Sequence, residues 1–211
     1  MASSTSAPAS YAAARSEAKT ILGSISYFFI RRRIFLSAVL FAILVTVDVV
    51  TGVRPHDLTN LADPVTVIGT LLVVIGLATR SWAAGILRKD EEVTTCGPYR
   101  LVRNPLYLGS FLMMFGFCAL IGDVATWFLL VLPMIALYLV KVRNEERWLG
   151  KLYPEQWAAY SAKTPRFLPR IAHTDIATSW YSSQWLRARE YQAILASVVA
   201  LAAIKIWQSI G

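Results

Sequence analysis

Five apolar stretches set the limits on this chain: Ile34 to Val53, Val65 to about Ala84, Tyr107 to Ile121, Val124 to Val142 and Tyr191 to Trp207. The first two match the roughly 20 residues that a helix needs to cross a bilayer core; the third is short and the fifth marginal. Polar and turn-forming residues separate them. A chain that is 56% hydrophobic and only 16% charged is too apolar for a soluble domain. The expected fold class is therefore all-α, a polytopic membrane protein with about five transmembrane helices.

The pattern divides the chain into four parts. Residues 1–33 hold a Ser, Ala, Thr and Pro tail. Ile21, Leu22, Ile25, Phe28 and Phe29 then follow at helical spacing, behind Arg15, Glu17 and Lys19. This reads as a disordered tail and an amphipathic helix lying on the membrane surface. Residues 34–64 hold the first span and a polar loop, 65–170 a core, and 171–211 a connector and a C-terminal span. No signal-peptide pattern precedes the first span, which reads as retained. Asp48, near the end of that span, is expected to reach the interface. Gly69 and Gly76 mark close-packing positions in the second span. Arg80 is expected to snorkel at its end, beside Trp82.

Between Tyr107 and Val142 a short apolar run, the turn signal Gly122-Asp123 and a longer run with Pro133 as a kink read as a helical hairpin. The hairpin returns Val142 to the membrane face that Tyr107 left, so Asn104 and Glu145 are expected to become neighbours. Lys and Arg placement orients the whole. In a five-span arrangement Arg31, Arg32, Arg33, Arg88, Lys89, Arg100, Arg103, Lys141, Arg143, Arg147, Lys151, Lys163, Arg166, Arg170, Arg187 and Arg189 share one side, against Arg54 and Lys205 on the other. The positive-inside rule then puts the N-terminus and the polar clusters in the cytoplasm. It also accounts for the net charge of +8, so no nucleic-acid partner is expected. Two separated Cys, Cys96 and Cys118, and two distant His, His56 and His173, form no metal-ligand cluster. No metal is expected.

The passage from Thr94 to Gly109 is unlike the apolar runs around it. It concentrates Gly97, Pro98, Tyr99, Arg100, Arg103, Asn104, Pro105, Leu106, Tyr107 and Gly109. Pro fixes φ and removes a donor, and Gly permits backbone that other residues avoid. A second polar cluster, Arg143-Asn144-Glu145-Glu146, is predicted to face it. Arg147 to Arg170 follows as a basic, amphipathic stretch interleaved with Trp148, Tyr153, Trp157, Tyr160 and Phe167.

Gly97-Pro98-Tyr99, Arg103-Asn104-Pro105-Leu106-Tyr107-Leu108-Gly109, Glu145-Glu146, Tyr153-Pro154-Glu155-Gln156-Trp157-Ala158-Ala159-Tyr160 and Pro165-Arg166-Phe167-Leu168-Pro169, in that order, resemble the integral membrane methyltransferases. That family includes isoprenylcysteine carboxyl methyltransferases and phospholipid N-methyltransferases. The resemblance covers about residues 65–170. It implies S-adenosylmethionine as cofactor, held in a cytoplasmic pocket. It implies Tyr99, Asn104, Pro105, Leu106, Tyr107 and Glu145, with residues near Glu91 to Thr94, as cofactor-binding, and Lys141, with Arg143 as a nearby substitute, as the substrate contact; residue chemistry adds Gly97, Arg103 and Gly109 for the cofactor and Glu146 at the reacting end. Asn104 stands where the family usually has His, and Asn still donates and accepts. Tyr153-Pro154 replaces the usual Phe-Gly.

The residue types suit that cofactor. A Glu such as Glu145 accepts from the ribose diol or the ammonium, and Arg103 forks onto the carboxylate. Tyr99 and Tyr107 offer rings and hydroxyls to the cation and to adenine. The implied partner is a lipophilic small molecule, a prenylated substrate or a membrane lipid, entering from the lipid side of the hairpin. Two other readings compete: an NADPH-dependent sterol-reductase-like membrane enzyme, and a non-catalytic membrane scaffold protein.

Overall fold

The computed structural model describes residues 39, 42–88, 92–123, 127–169 and 178–210. The expected surface helix of residues 11–30, most of the first half of the first span, Glu91 and Arg170 lie outside the described residues. Helix α1 covers Ala42–Thr51. It is followed by α2 (Pro64–Ile86), the short α3 (Pro98–Leu101), α4 (Pro105–Ile121), α5 (Leu132–Leu152), α6 (Pro154–Lys163), α7 (Ser182–Arg187) and α8 (Glu190–Ile210). No strand occurs among the described residues. Among the described residues, three helices are long and apolar enough to cross a membrane: Pro64–Ile86, Trp127–Leu152, which includes α5, and Glu190–Ser209. With the shorter apolar α1 and α4, the protein is a polytopic helical membrane protein.

Helix boundaries follow from the punctuation. Asp63 caps α2, its Oδ1 accepting from the Val65 amide at 3.0 Å, and Pro64 opens the helix where its missing N–H costs nothing. The other carboxylate oxygen of Asp63 takes the Thr66 hydroxyl at 3.0 Å and His56 Nδ1 at 2.6 Å. Pro105 forbids helical backbone at Asn104, so α4 starts there. Gly122 ends it in the left-handed conformation, φ +78°, its amide donating to Cys118 O at 3.0 Å. A π-helical turn, Trp127–Val131, directly precedes α5, and Pro133 sits in the first turn of α5, where its missing N–H costs nothing. Pro154 separates α5 from α6 for the same reason that Pro105 opens α4.

Helix α4 is the strut around which the others pack. It is apolar on every side, and none of its residues is exposed. At about 1.5 Å per residue it is only ~25 Å long, shorter than a bilayer core, but longer helices surround it. Cys118 packs with Leu44 of α1 and with Val131, while Leu120 and Ile121 pack with Val73 of α2 and Ile204 of α8.

The contact of α2 with α4 is backbone-close because glycines face each other. A Cβ on Gly76 would stand 2.6 Å from Gly109 O, and a Cβ on Gly109 would stand 2.6 Å from Gly76 O. One heptad away, a Cβ on Gly116 would stand 2.6 Å from Gly69 O. Lipid tails are as apolar as side chains, so this close approach, rather than escape from water, holds the pair together. Ala favours helix over Gly by about 1 kcal/mol, but a carbonyl oxygen cannot rotate away from a new methyl. Gly76→Val is therefore expected to lower the thermal midpoint in detergent, with a loss of roughly 1–3 kcal/mol or more from overpacking. An unchanged midpoint would show that the seam does not carry the fold.

Two sequence expectations change here. Arg80 does not snorkel: it turns inward to a buried carboxylate, Glu190. Asp48 is buried within the protein rather than exposed at the end of its helix.

Candidate active site

Helices α4 and α5 run in opposite directions, as the hairpin requires, without the close backbone approach of α2 and α4. Side chains bridge them instead. The Tyr138 ring of α5 meets the rings of Tyr107 and Phe111 edge-on, both at 5.4 Å, and Phe111 meets Phe167 at 5.7 Å. At the end of this aromatic seam the Tyr107 hydroxyl donates to Glu145 Oε2 at 2.8 Å. Lys141, one turn earlier on α5, reaches the other carboxylate oxygen at 3.0 Å. Residues 38 positions apart thus meet at one end of the bundle. The Glu145 side chain keeps 40% of its surface exposed, so the meeting point is open to solvent.

Glu146, the next residue, has a different environment. It is buried, and Arg166 clamps it with Nε at 3.1 and 3.0 Å from its two oxygens and Nη2 at 2.5 Å from Oε2. This hydrogen-bonded carboxylate holds the Arg166 guanidinium above its ordinary pKa. Asn104 Nδ2 donates to Glu146 Oε1 at 3.2 Å and to Arg166 O at 3.3 Å. Arg103 Nη1 approaches Glu146 at 3.6 Å, and its guanidinium lies over the Trp157 ring at 5.7 Å. The Arg103 amide donates to Pro165 O at 2.8 Å. The segment after α6 is thereby tied to the residues that open α4.

The turn before α4 is built for close quarters. Gly97 has φ +56°, a conformation that L side chains rarely adopt, and a Cβ there would press on Ile86 Cδ1 at 2.6 Å. Thr94 is buried, its hydroxyl accepting from the Arg88 amide at 3.2 Å. Tyr99 is buried, and the Tyr160 hydroxyl holds its carbonyl at 2.7 Å. Burial pushes both phenols above their usual pKa; at Tyr99 the nearby Tyr160, Glu145 and Glu190 add to the shift. Three side-chain polar atoms are buried with no partner among the described residues: Tyr99 Oη and Arg103 Nε here, and Gln208 Oε1 at the other end of the bundle. Orphaned buried groups of this kind are uncommon and costly, and the first two fit a site that a polar ligand completes.

The candidate residues therefore divide. Tyr99, Asn104, Tyr107, Lys141, Glu145 and Glu146 converge, with Arg103 behind them. Pro105 is buried at the head of α4, and Leu106 offers its carbonyl to Arg80 at 3.3 Å. Gly109 was expected to admit cofactor; its open face is instead filled by the backbone of α2. Arg143 is exposed. Arg166 and Tyr160, which fix Glu146 and Tyr99, were not among the expected site residues. Their signal was the Tyr-Pro and Pro-Arg-Phe motifs that contain or adjoin them. A separate cavity of about 500 Å³ lies at the opposite end of the bundle, lined by Arg54, Asp57, Lys205 and Trp207 among others.

Comparison with known proteins bears on this geometry. The family model of phospholipid methyltransferase matches residues 64–156. A nickel-cobalt-cadmium resistance protein of Alcaligenes xylosoxydans xylosoxydans is 30% identical over 147 residues, 69% of this chain and 68% of that protein. A cobalt-zinc-cadmium resistance protein of Cupriavidus metallidurans is 33% identical over 115 residues, 54% of this chain and 53% of its own length. A protein-S-isoprenylcysteine O-methyltransferase of Schizosaccharomyces pombe is 29% identical over 83 residues, 39% of this chain and 35% of that enzyme. No solved structure matches. The matched segment begins at the first residue of α2 and ends inside α6, so it contains the glycine seam, the turn before α4 and both glutamates. The chain belongs to the integral membrane methyltransferase family.

Proposed function

We propose that this protein transfers a methyl group from S-adenosylmethionine to a lipophilic acceptor at the membrane surface. The observation that carries the reading is the solvent-facing Tyr107–Glu145 pair, 2.8 Å apart, together with the unpartnered Tyr99 hydroxyl and Arg103 Nε. A scaffold without a ligand would gain by burying apolar groups there, since an unsatisfied buried donor or acceptor costs about 1–3 kcal/mol. The residues present fit the cofactor: Glu145 to accept from its hydroxyl or ammonium donors, Arg103 Nε to donate to its carboxylate, and Tyr99 and Tyr107 for its cationic and aromatic parts.

When bound, S-adenosylmethionine supplies an electrophilic methyl on a sulfonium centre. The chain's own contribution is alignment and a low-water setting. Tyr107 donates to Glu145 and Lys141 pairs with it, so the carboxylate is held in one orientation on the rigid end of α5. Asn104, fixed by Glu146 and by the carbonyl of Arg166, holds the mouth of α4 in register. A carboxylate acceptor needs no base. For an amine acceptor, Glu145 is the group at hand to take the proton, and Lys141, 3.0 Å from that carboxylate, is the cation at hand for an acceptor's phosphate or carboxylate. The aromatic seam of Phe111, Tyr138 and Phe167 faces the gap between α4 and α5 and suits an apolar chain arriving from lipid.

The Lys and Arg excess at this end supports a cytoplasmic site; a reporter fused after Gly211 then reads the opposite side. The decisive experiment incubates the detergent-purified full chain with methyl-labelled S-adenosylmethionine and membrane lipid, then extracts the lipid phase. Label in a lipid supports the reading, and the labelled species identifies the acceptor. Absence of cofactor binding at millimolar concentration would sink it.

A further inference from the structure

The last helix begins with a buried acid, Glu190, outside the segment that the family model matches. Its carboxylate forks onto Arg80 of α2, with Nη2 at 2.6 Å from Oε1 and Nε at 3.1 Å from Oε2. The two side chains are 7% and 22% exposed. The third arm of the guanidinium continues into α4: Nη1 donates to Ser110 Oγ at 2.6 Å and to Leu106 O at 3.3 Å. The Ser110 hydroxyl in turn donates to the same Leu106 carbonyl at 3.0 Å. One planar guanidinium therefore joins three helices, with its rigid fork facing the carboxylate and its remaining edge facing the first turn of α4.

That turn has no side-chain cap: Asn104, the residue before α4, donates its Nδ2 to Glu146 and to Arg166 O. Leu106 lies between Pro105 and Tyr107, so the hold on its carbonyl sets where the Tyr107 ring and hydroxyl point. The chain just ahead of Glu190 is docked on the same part of α2. Trp180 Nε1 donates to Ser81 O at 3.1 Å, Trp185 Nε1 to Ser81 Oγ at 2.8 Å, and the Tyr181 amide to Gly85 O at 2.8 Å. Glu190 is therefore delivered to Arg80 by a seated segment rather than by a free end.

We infer that Glu190 is a positioning residue for the methyl-donor site, acting through Arg80 and Ser110 on the first turn of α4, so that the C-terminal helix is a working part of the site. This rests on the proposed cofactor reading for its affinity arm only. The test uses the full chain in detergent, S-adenosylhomocysteine as probe, and hydrogen–deuterium exchange read separately for peptides spanning 104–111 and 196–204.

Glu190→Gln keeps the size and removes the charge. It is expected to weaken probe binding about tenfold and to speed exchange in 104–111 while leaving 196–204 as in the unaltered chain. The charge swap, Arg80→Glu with Glu190→Arg, restores the ion pair but leaves a carboxylate that cannot donate to the Leu106 carbonyl, so exchange in 104–111 is expected to stay fast; a return to slow exchange would overturn the route through Arg80. Ser110→Ala breaks only the link to α4 and leaves the ion pair. It is expected to reproduce the faster exchange in part, and it carries the test if Glu190→Gln does not fold. Unaltered exchange in 104–111 in both single variants would overturn the inference, as would loosening of 104–111 and 196–204 together. If the unaltered chain binds no probe, the cofactor reading fails, and the exchange arm still decides whether Glu190 braces α4.

Discussion

Glu145→Gln is expected to weaken S-adenosylhomocysteine binding by about 10- to 100-fold while leaving the thermal midpoint in detergent close to that of the unaltered chain. A hydrogen bond to a charged group contributes about 1.5–3 kcal/mol, and each ~1.4 kcal/mol is a factor of ten in affinity. The expected loss follows if the Glu145 carboxylate holds a donor of the cofactor. Stability is spared because the side chain is 40% exposed, and its ion pair with Lys141 is a four-residue helix pair of the kind worth little. Gln also keeps an oxygen to accept from Tyr107. Isothermal titration against the purified chain, paired with a melting curve, reads both quantities. Affinity equal to that of the unaltered chain would remove Glu145 from the site.

Much of this arrangement could be read from residues alone. Apolar runs of span length led to helices, and Pro105, Gly122 and Pro154 fell where helices start or stop. Closing the hairpin at Gly122-Asp123 was enough to bring Tyr107 to Glu145. What local pattern cannot carry is rotation about a helix axis. Successive residues point about 100° apart on a helix of 3.6 residues per turn, so Glu145 and Glu146, alike in type and adjacent, have opposite surroundings. One faces solvent beside Tyr107 and Lys141, and the other a clamp made by Arg166 and Asn104. Arg80 was misread for a related reason. A cation near the end of a span ordinarily reaches for water, and the carboxylate that draws it inward is 110 residues away. Gly109 looked like room for a ligand, because a sequence does not show that Gly76 will lie across from it.

Glu146→Ala is expected to act on the fold where Glu145→Gln acts on the ligand. Removing this carboxylate strips Arg166 of three close contacts and Asn104 of one acceptor. It leaves Arg103, with only 15% of its side chain exposed and its Nε already unpartnered, as a cation with no charge opposite. Breaking a buried pair from one side costs about 3–5 kcal/mol. Arg166 is 41% exposed and rehydrates, so the expected loss here is about 2–4 kcal/mol, or roughly 5–15 °C in the midpoint for a chain of this size. Glu146→Gln, which keeps an acceptor for Asn104, is expected to lose less. The double variant Glu146→Ala with Arg166→Ala is expected to be more stable than the sum of the two single losses implies, because the stranded cation leaves with its partner. The same series reports on binding: once Asn104 is released, the mouth of α4 loses its register, so affinity falls together with stability rather than apart from it. Strict additivity in the double variant, or a Glu146→Ala midpoint equal to that of the unaltered chain, would mean that Glu146 is not the keystone between α4, α5 and the segment after α6.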